Sequence, residues 1–142
     1  MNAYPDSSFL ASLYVSDANT PAAERALGRL QPVMILTWLH ELELTNAFQS
    51  LVFRKQITAS QAAAAQRKFQ SNVETLGPLR PIAGDVFTRA VDLARRHTAR
   101  FGARSLDILH VAAALAMDAD AFLTFDIRQL KMATAEGLRV TF

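Results

Sequence analysis

Apolar residues recur along this chain in two rhythms, one helical and one extended. Asn2-Ala3-Tyr4-Pro5 reads as a short strand ending at a proline, whose missing N–H is tolerable there. Ser7 or Ser8 can cap a helix running through Tyr14, with Phe9/Leu13 and Leu10/Tyr14 paired one turn apart. Thr20-Pro21 is an N-cap followed by proline, and Ala23, Ala26, Leu27 and Leu30 form the stripe behind it until Pro32. Val33-Met34-Ile35-Leu36 is a continuous apolar run, the pattern of a strand buried on both faces. Leu39 to Phe53 has helical spacing, with Trp38 and Phe53 read as packing residues. Thr58-Ala59-Ser60-Gln61 is a capping box, and Ala62, Ala65, Phe69 and Val73 carry that helix to Leu76.

Gly77-Pro78 breaks the pattern, and Leu79 to Ile82 reads as a short edge strand. A helix follows from Asp85 to Arg100. Ser105 can cap the next, which is apolar almost all round from Ile108 to Met117 and is therefore expected to be buried. Ala121 to Phe125 reads as a strand, Arg128 to Ala133 as a helical turn, and Leu138 to Phe142 as a last strand after Gly137. Short apolar strands alternating with helices imply an α/β fold with a largely parallel sheet covered on both faces.

Composition narrows the class. The 142 residues suit a single domain spanning 1–142, and 51% are hydrophobic with only 5 Gly and 5 Pro, which excludes a disordered or fibrous chain. There is no cysteine, hence no disulfide, thiolate metal site or cysteine nucleophile. No apolar run reaches the roughly 18 residues of a membrane span, and the N-terminus lacks a signal-peptide pattern, so a cytoplasmic location is expected. Net charge is only +2, but the excess is local. Arg89, Arg95, Arg96, Arg100 and Arg104 face the single acid Asp92 in the same segment. Arg89, Arg96 and Arg100 share one helical stripe, opposite Phe87, Val91 and Ala94. Such a stripe, with Arg104, is either a solvated face or a surface that tracks phosphates of a nucleic acid.

Four carboxylates carry the candidate chemistry. Asp6 and Asp126 follow strand ends, the edge where open α/β sheets build their sites, and Glu43 and Asp107 lie in early helical turns near that edge. In a chain only 20% charged, acids inside apolar segments need neutralising. Two carboxylates about 4 Å apart repel by about 4 kcal/mol at an effective dielectric of about 20. An oxygen-only set selects Mg²⁺ or Mn²⁺, ions suited to phosphate substrates and phosphodiester hydrolysis. Glu41 competes with Glu43, since both flank the stripe Leu44, Ala47, Phe48, Leu51. His40, His97 and His110 are too scattered for a metal triad, and His110, one turn beyond Asp107, reads as a core histidine or one supporting an acid.

These residues also resemble a family. Tyr4-Pro5-Asp6-Ser7-Ser8, Glu41-Leu42-Glu43-Leu44-Thr45-Asn46-Ala47, Ser105-Leu106-Asp107-Ile108-Leu109-His110 and Phe122-Leu123-Thr124-Phe125-Asp126 are similar, in that order, to the motifs of PIN-domain ribonucleases, nearest to the VapC-type toxins of toxin–antitoxin pairs. The resemblance implies a three-layer α/β/α fold with a sheet of about five strands. It implies Asp6, Glu43, Asp107 and Asp126 as metal-binding acids, Ser7 and Thr124 as their hydroxyl neighbours, and Glu43 over Glu41. It further implies Mg²⁺- or Mn²⁺-dependent RNA cleavage, a homodimer, and an antitoxin partner that occupies the active groove. Two other readings stand beside it: a PIN-like binding or scaffold domain without catalysis, and a DNA-directed metal-dependent nuclease.

Overall fold

The computed structural model describes residues 1–140. The elements run β1 (Asn2–Pro5), α1 (Ser7–Tyr14), α2 (Thr20–Leu30), β2 (Val33–Met34), α3 (Trp38–Phe53), α4 (Ala59–Leu76), α5 (Gly84–Phe101), α6 (Ser105–Ala116), β3 (Ala121–Leu123), α7 (Ile127–Ala135) and β4 (Arg139–Val140). The strands form one sheet in the order β2-β1-β3-β4, and every pairing is parallel. Ala3 stands between Met34 and Ala121, and Phe122 between Tyr4 and Val140.

Among the described residues the sheet has four strands, not five. The expected edge strand at Leu79–Ile82 makes one bridge, Thr37 to Arg80. Pro78 and Pro81 flank Arg80, and neither has an N–H with which to extend the ladder. The run Val33–Leu36 is an edge strand rather than a doubly buried one: it pairs over Val33–Met34, and Val33 is exposed. The last strand pairs at Arg139–Val140, and the remainder of the expected span, Thr141 and Phe142, lies outside the described residues.

Pro5 sits in a strand with neighbours on both sides, yet costs no hydrogen bond. Val33 N–H donates to the Met1 carbonyl and Ile35 N–H to the Ala3 carbonyl, so odd-numbered residues of β1 face β2. By position 5, β2 has ended. The Pro5 carbonyl pairs with His40 Nε2 instead, at 2.7 Å, while Asp6 N–H continues the ladder to the Leu123 carbonyl at 2.8 Å.

Side chains alternate across the sheet with period two. Tyr4 and Phe122 stack 5.9 Å apart on one face, packed with Leu93 of α5, Val111 of α6 and Met132 of α7. Ala3, Ala121 and Leu123 point to the other face, against Phe9 of α1 and Ala23 and Ala26 of α2. Leu44, Phe48, Ala62 and Phe69 make a further cluster between α3 and α4. In α6 every residue from Asp107 to Ala114 is buried, as its all-round apolar run predicts.

Some local expectations are corrected. Asp6, rather than Ser7 or Ser8, caps α1; Asn19 and Arg104 hold the cap positions ahead of Thr20 and Ser105, which begin their helices. Trp38 and Phe53 are exposed, Phe53 to 87%, because the buried side of α3 is formed by Leu39, Leu44 and Phe48. The face of α5 bearing Phe87 and Val91 is likewise half open, since Val86 and Leu93 make the core contact. The Thr58 capping box is present as expected, and α7 is a full helix rather than a turn.

His40 closes a second capping box at the start of α3: its Nδ1 lies 2.9 Å from the Thr37 N–H and 3.0 Å from Thr37 Oγ1. Burial lowers its pKa to about 3, with the neighbouring His110 pushing the same way. The unfolded chain takes up a proton near the ordinary 6.5 and the folded one does not. Stability from this group is therefore present above pH 6.5 and is lost as pH falls below it. Wild type should lose about 2 kcal/mol between pH 7 and pH 5 that His40→Asn, though less stable overall, does not lose. Urea unfolding at the two pH values checks the difference.

Candidate active site

Asp6 ends β1 and is 1% exposed. Its carboxylate is wrapped in donors. Oδ1 accepts from Phe9 N–H at 2.7 Å, and Ser8 Oγ reaches both oxygens at 2.9 Å. Oδ2 accepts from Thr124 Oγ1 at 2.6 Å and from Gln129 Nε2 at 2.8 Å. Burial pushes the Asp6 carboxyl above the usual carboxylate range, and bonds from Thr124, Phe9 N–H and Ser8 oppose that only in part.

Asp107 stands in the first turn of α6. Its Oδ1 lies 3.3 Å from the same Gln129 Nε2, and its Oδ2 accepts from Arg104 Nε at 2.9 Å. Asp126 caps α7 through Arg128 N–H at 2.7 Å and Gln129 N–H at 3.2 Å, and its own N–H donates to Thr124 Oγ1. Arg104 Nη2 is 3.8 Å from Asp126 Oδ2, and Arg128 Nη2 is 3.6 Å from it. One amide thus joins Asp6 to Asp107, and one guanidinium joins Asp107 to Asp126.

Glu43 enters from α3. Its Oε1 accepts from Ser7 Oγ at 2.9 Å and meets His110 Nε2. Burial opposes ionisation of Glu43, but the hydrogen bonds from His110 and Ser7 outweigh it and hold the carboxyl below its ordinary range. Glu41 is exposed. The residues read from sequence therefore fall into two groups that meet at Asp6-Ser7: Asp6, Asp107, Asp126 and Thr124 on one side, Glu43 and Ser7 on the other. Of the four arginines, Arg104 reaches the acids. Arg96 pairs with Asp92 and Glu136, Arg100 lies over the Phe101 ring, and Arg89 is exposed on α5.

A family model described as PIN domain matches residues 3–135. The chain belongs to the PIN-domain family. No curated protein matches it. PIN domains are generally nucleases that hydrolyse phosphodiester bonds, typically with divalent metal ions such as Mg²⁺, and the mostly helical α/β architecture around a parallel sheet is theirs.

The donor chemistry of this PIN domain fits such an ion. All four acids offer oxygen, and the buried Oε1 of Gln129 has no hydrogen-bond partner although its amide nitrogen touches both Asp6 and Asp107. Among the described residues no three His, Asp or Glu side chains form a ready-made cage.

Sequence reasoning missed Gln129. Its one signal is position: three residues after Asp126, in the first turn of a helix whose inward side faces Asp6. His110, buried in α6, supports an acid: its Nε2 meets Glu43. Gln129→Leu should cost about 1–3 kcal/mol in EDTA by stripping donors from two buried carboxylates. Thermal melting against wild type measures the loss.

Proposed function

We propose that this PIN domain, spanning 1–142, is an Mg²⁺- or Mn²⁺-dependent endoribonuclease and the toxin of a type II toxin–antitoxin pair. The observation that carries the chemistry is the joining of Asp6, Asp107 and Asp126 through shared partners at the C-terminal edge of a parallel sheet. Asp6, Glu43, Asp107 and Asp126 hold the cation in this reading, with Ser7 and Thr124 orienting Glu43 and Asp6. When bound, the cation neutralises charge on the scissile phosphate and activates water. The chain's own part is positional. Thr124 and Gln129 fix Asp6, the helix caps fix Asp6 and Asp126, and Arg104, 67% exposed at its side chain, can leave the acids to meet a phosphate. Arg89, Arg96 and Arg100 extend the basic surface along α5 for the RNA backbone. The choice of RNA over DNA and the toxin role rest on the motif resemblance.

Asp107→Asn tests the chemistry. It should reduce Mg²⁺-dependent cleavage of a structured RNA panel to the EDTA background while keeping the far-UV circular dichroism of wild type. Wild-type activity in this variant would sink the assignment, and a parallel single-stranded DNA arm decides the substrate. Asp6→Asn is the less clean variant, because its new amide would face the donors of Thr124 or Gln129.

Partners have a surface on which to act. Leu42 and Leu106, 65% and 46% exposed, line a hollow of about 560 Å³ that begins at Ser7 and Glu43. Leu106, Phe87 and Val91 line the next, about 290 Å³, between α5 and α6. Exposed apolar tracts of this kind mark interaction sites. In our reading the antitoxin covers the first and a second copy of the chain the other. No helix among the described residues is long and apolar enough to cross a membrane, and the proposed location is the cytoplasm. Val91→Glu should convert a dimer to a monomer in light scattering at micromolar concentration; an unchanged mass excludes this face.

A further inference from the structure

Behind Glu43 lies a buried polar pair that a set of acids does not by itself require. Tyr4 projects from the middle of β1 and His110 from α6, and both are almost wholly buried. Tyr4 Oη and His110 Nδ1 are 3.0 Å apart. The other ring nitrogen, Nε2, meets Glu43 Oε1 and lies 3.1 Å from Ser7 Oγ. His40 packs beside both rings, at 4.8 and 5.1 Å, but its nitrogens are occupied by Thr37 and the Pro5 carbonyl. It does not compete for Glu43.

The chemistry of the groups sets the direction of these bonds. An ionised carboxylate only accepts, so the nitrogen that meets Glu43 donates. In a neutral imidazole Nδ1 is then the acceptor, and Tyr4 supplies the proton that fills it. The tautomer of His110 is therefore chosen from inside the sheet. Ser7 and His110 both converge on Oε1 of Glu43, which leaves Oε2 without either of these donors.

We propose that Tyr4 and His110 are positioning residues for Glu43: a relay of donated hydrogen bonds, from β1 through α6 to α3, that holds one carboxylate oxygen and leaves the other for the cation. This rests on the reading of Glu43 as a metal-binding acid. Partners that orient metal-binding side chains typically contribute 10–100-fold to affinity, and the relay belongs to that order. A histidine that merely filled the core would not need its outward nitrogen on an acid from another helix.

Mn²⁺ binding to the full chain, followed by calorimetry and by the electron paramagnetic resonance of the free ion, separates the possibilities. His110→Leu keeps an apolar side chain in the core and should weaken Mn²⁺ binding about 10–100-fold. His110→Gln places an amide N–H toward Glu43 and should recover most of that loss. Tyr4→Phe, which preserves the ring, should fall between wild type and His110→Leu. Glu43→Gln is the control for the underlying reading. Wild-type affinity in Glu43→Gln overturns Glu43 as a ligand, and the relay with it. Weak binding in Glu43→Gln with wild-type binding in His110→Leu overturns the relay alone. Should His110→Leu fail to fold, wild-type affinity in Tyr4→Phe overturns the relay just as directly.

Discussion

A carboxylate buried at the end of a central strand has to be supplied with donors, and much of this molecule is arranged around that need at Asp6. A lone buried charge is costly enough that it would give up its ionisation or its burial. Asp6 keeps its burial by accepting from a helix N-terminus, two hydroxyls and an amide, which oppose in part the upward push of burial on its carboxyl. Those donors come from α1, from the segment after β3 and from α7. The same contacts that satisfy the charge therefore lock three separate elements at one edge of the sheet. The capping role of Asp6 and its place in the candidate site are one arrangement seen from two sides.

The donors also set the spacing of the other acids. Gln129 reaches Asp107 with the nitrogen it offers to Asp6, and Arg104 spans Asp107 and Asp126. These contacts offset the mutual repulsion of the carboxylates and keep the edge open. The two neutralisers differ in kind. Gln129 is buried and fixed, whereas Arg104 is largely in water and its pairs are screened, so they contribute little to stability.

Tyr4, two residues before Asp6 on the same face of β1, does the same work for Glu43 through His110. Tyr4 belongs to the aromatic core through Phe122 and at the same time presents its hydroxyl to His110. Pro5 ends the ladder on the β2 side, so His40 can take the free carbonyl and pack against both rings. Core packing and polar satisfaction coincide here. The residues that give β1 its register also hold the side chains around the acids.

The sequence by itself determined the α/β class, the helix spans to within a few residues, the Thr58 capping box and the positions of Asp6, Asp107 and Asp126 at element boundaries. Each of these is written in local spacing: a period of 3.6, a period of two, or a residue at a helix start. Tertiary structure decided the rest. It made Val33–Met34 an edge, reduced Leu79–Ile82 to a single bridge, exposed Trp38, Phe53, Phe87 and Val91, and turned Glu43 rather than Glu41 toward Ser7 and His110. It also brought Gln129 to Asp6 across 123 positions and Tyr4 to His110 across 106. Hydrophobic period says which residues avoid water but not which neighbour they meet. A hydrogen bond between distant positions leaves no period in the chain, so the partners of the acids exist only once strand order and helix packing have placed them.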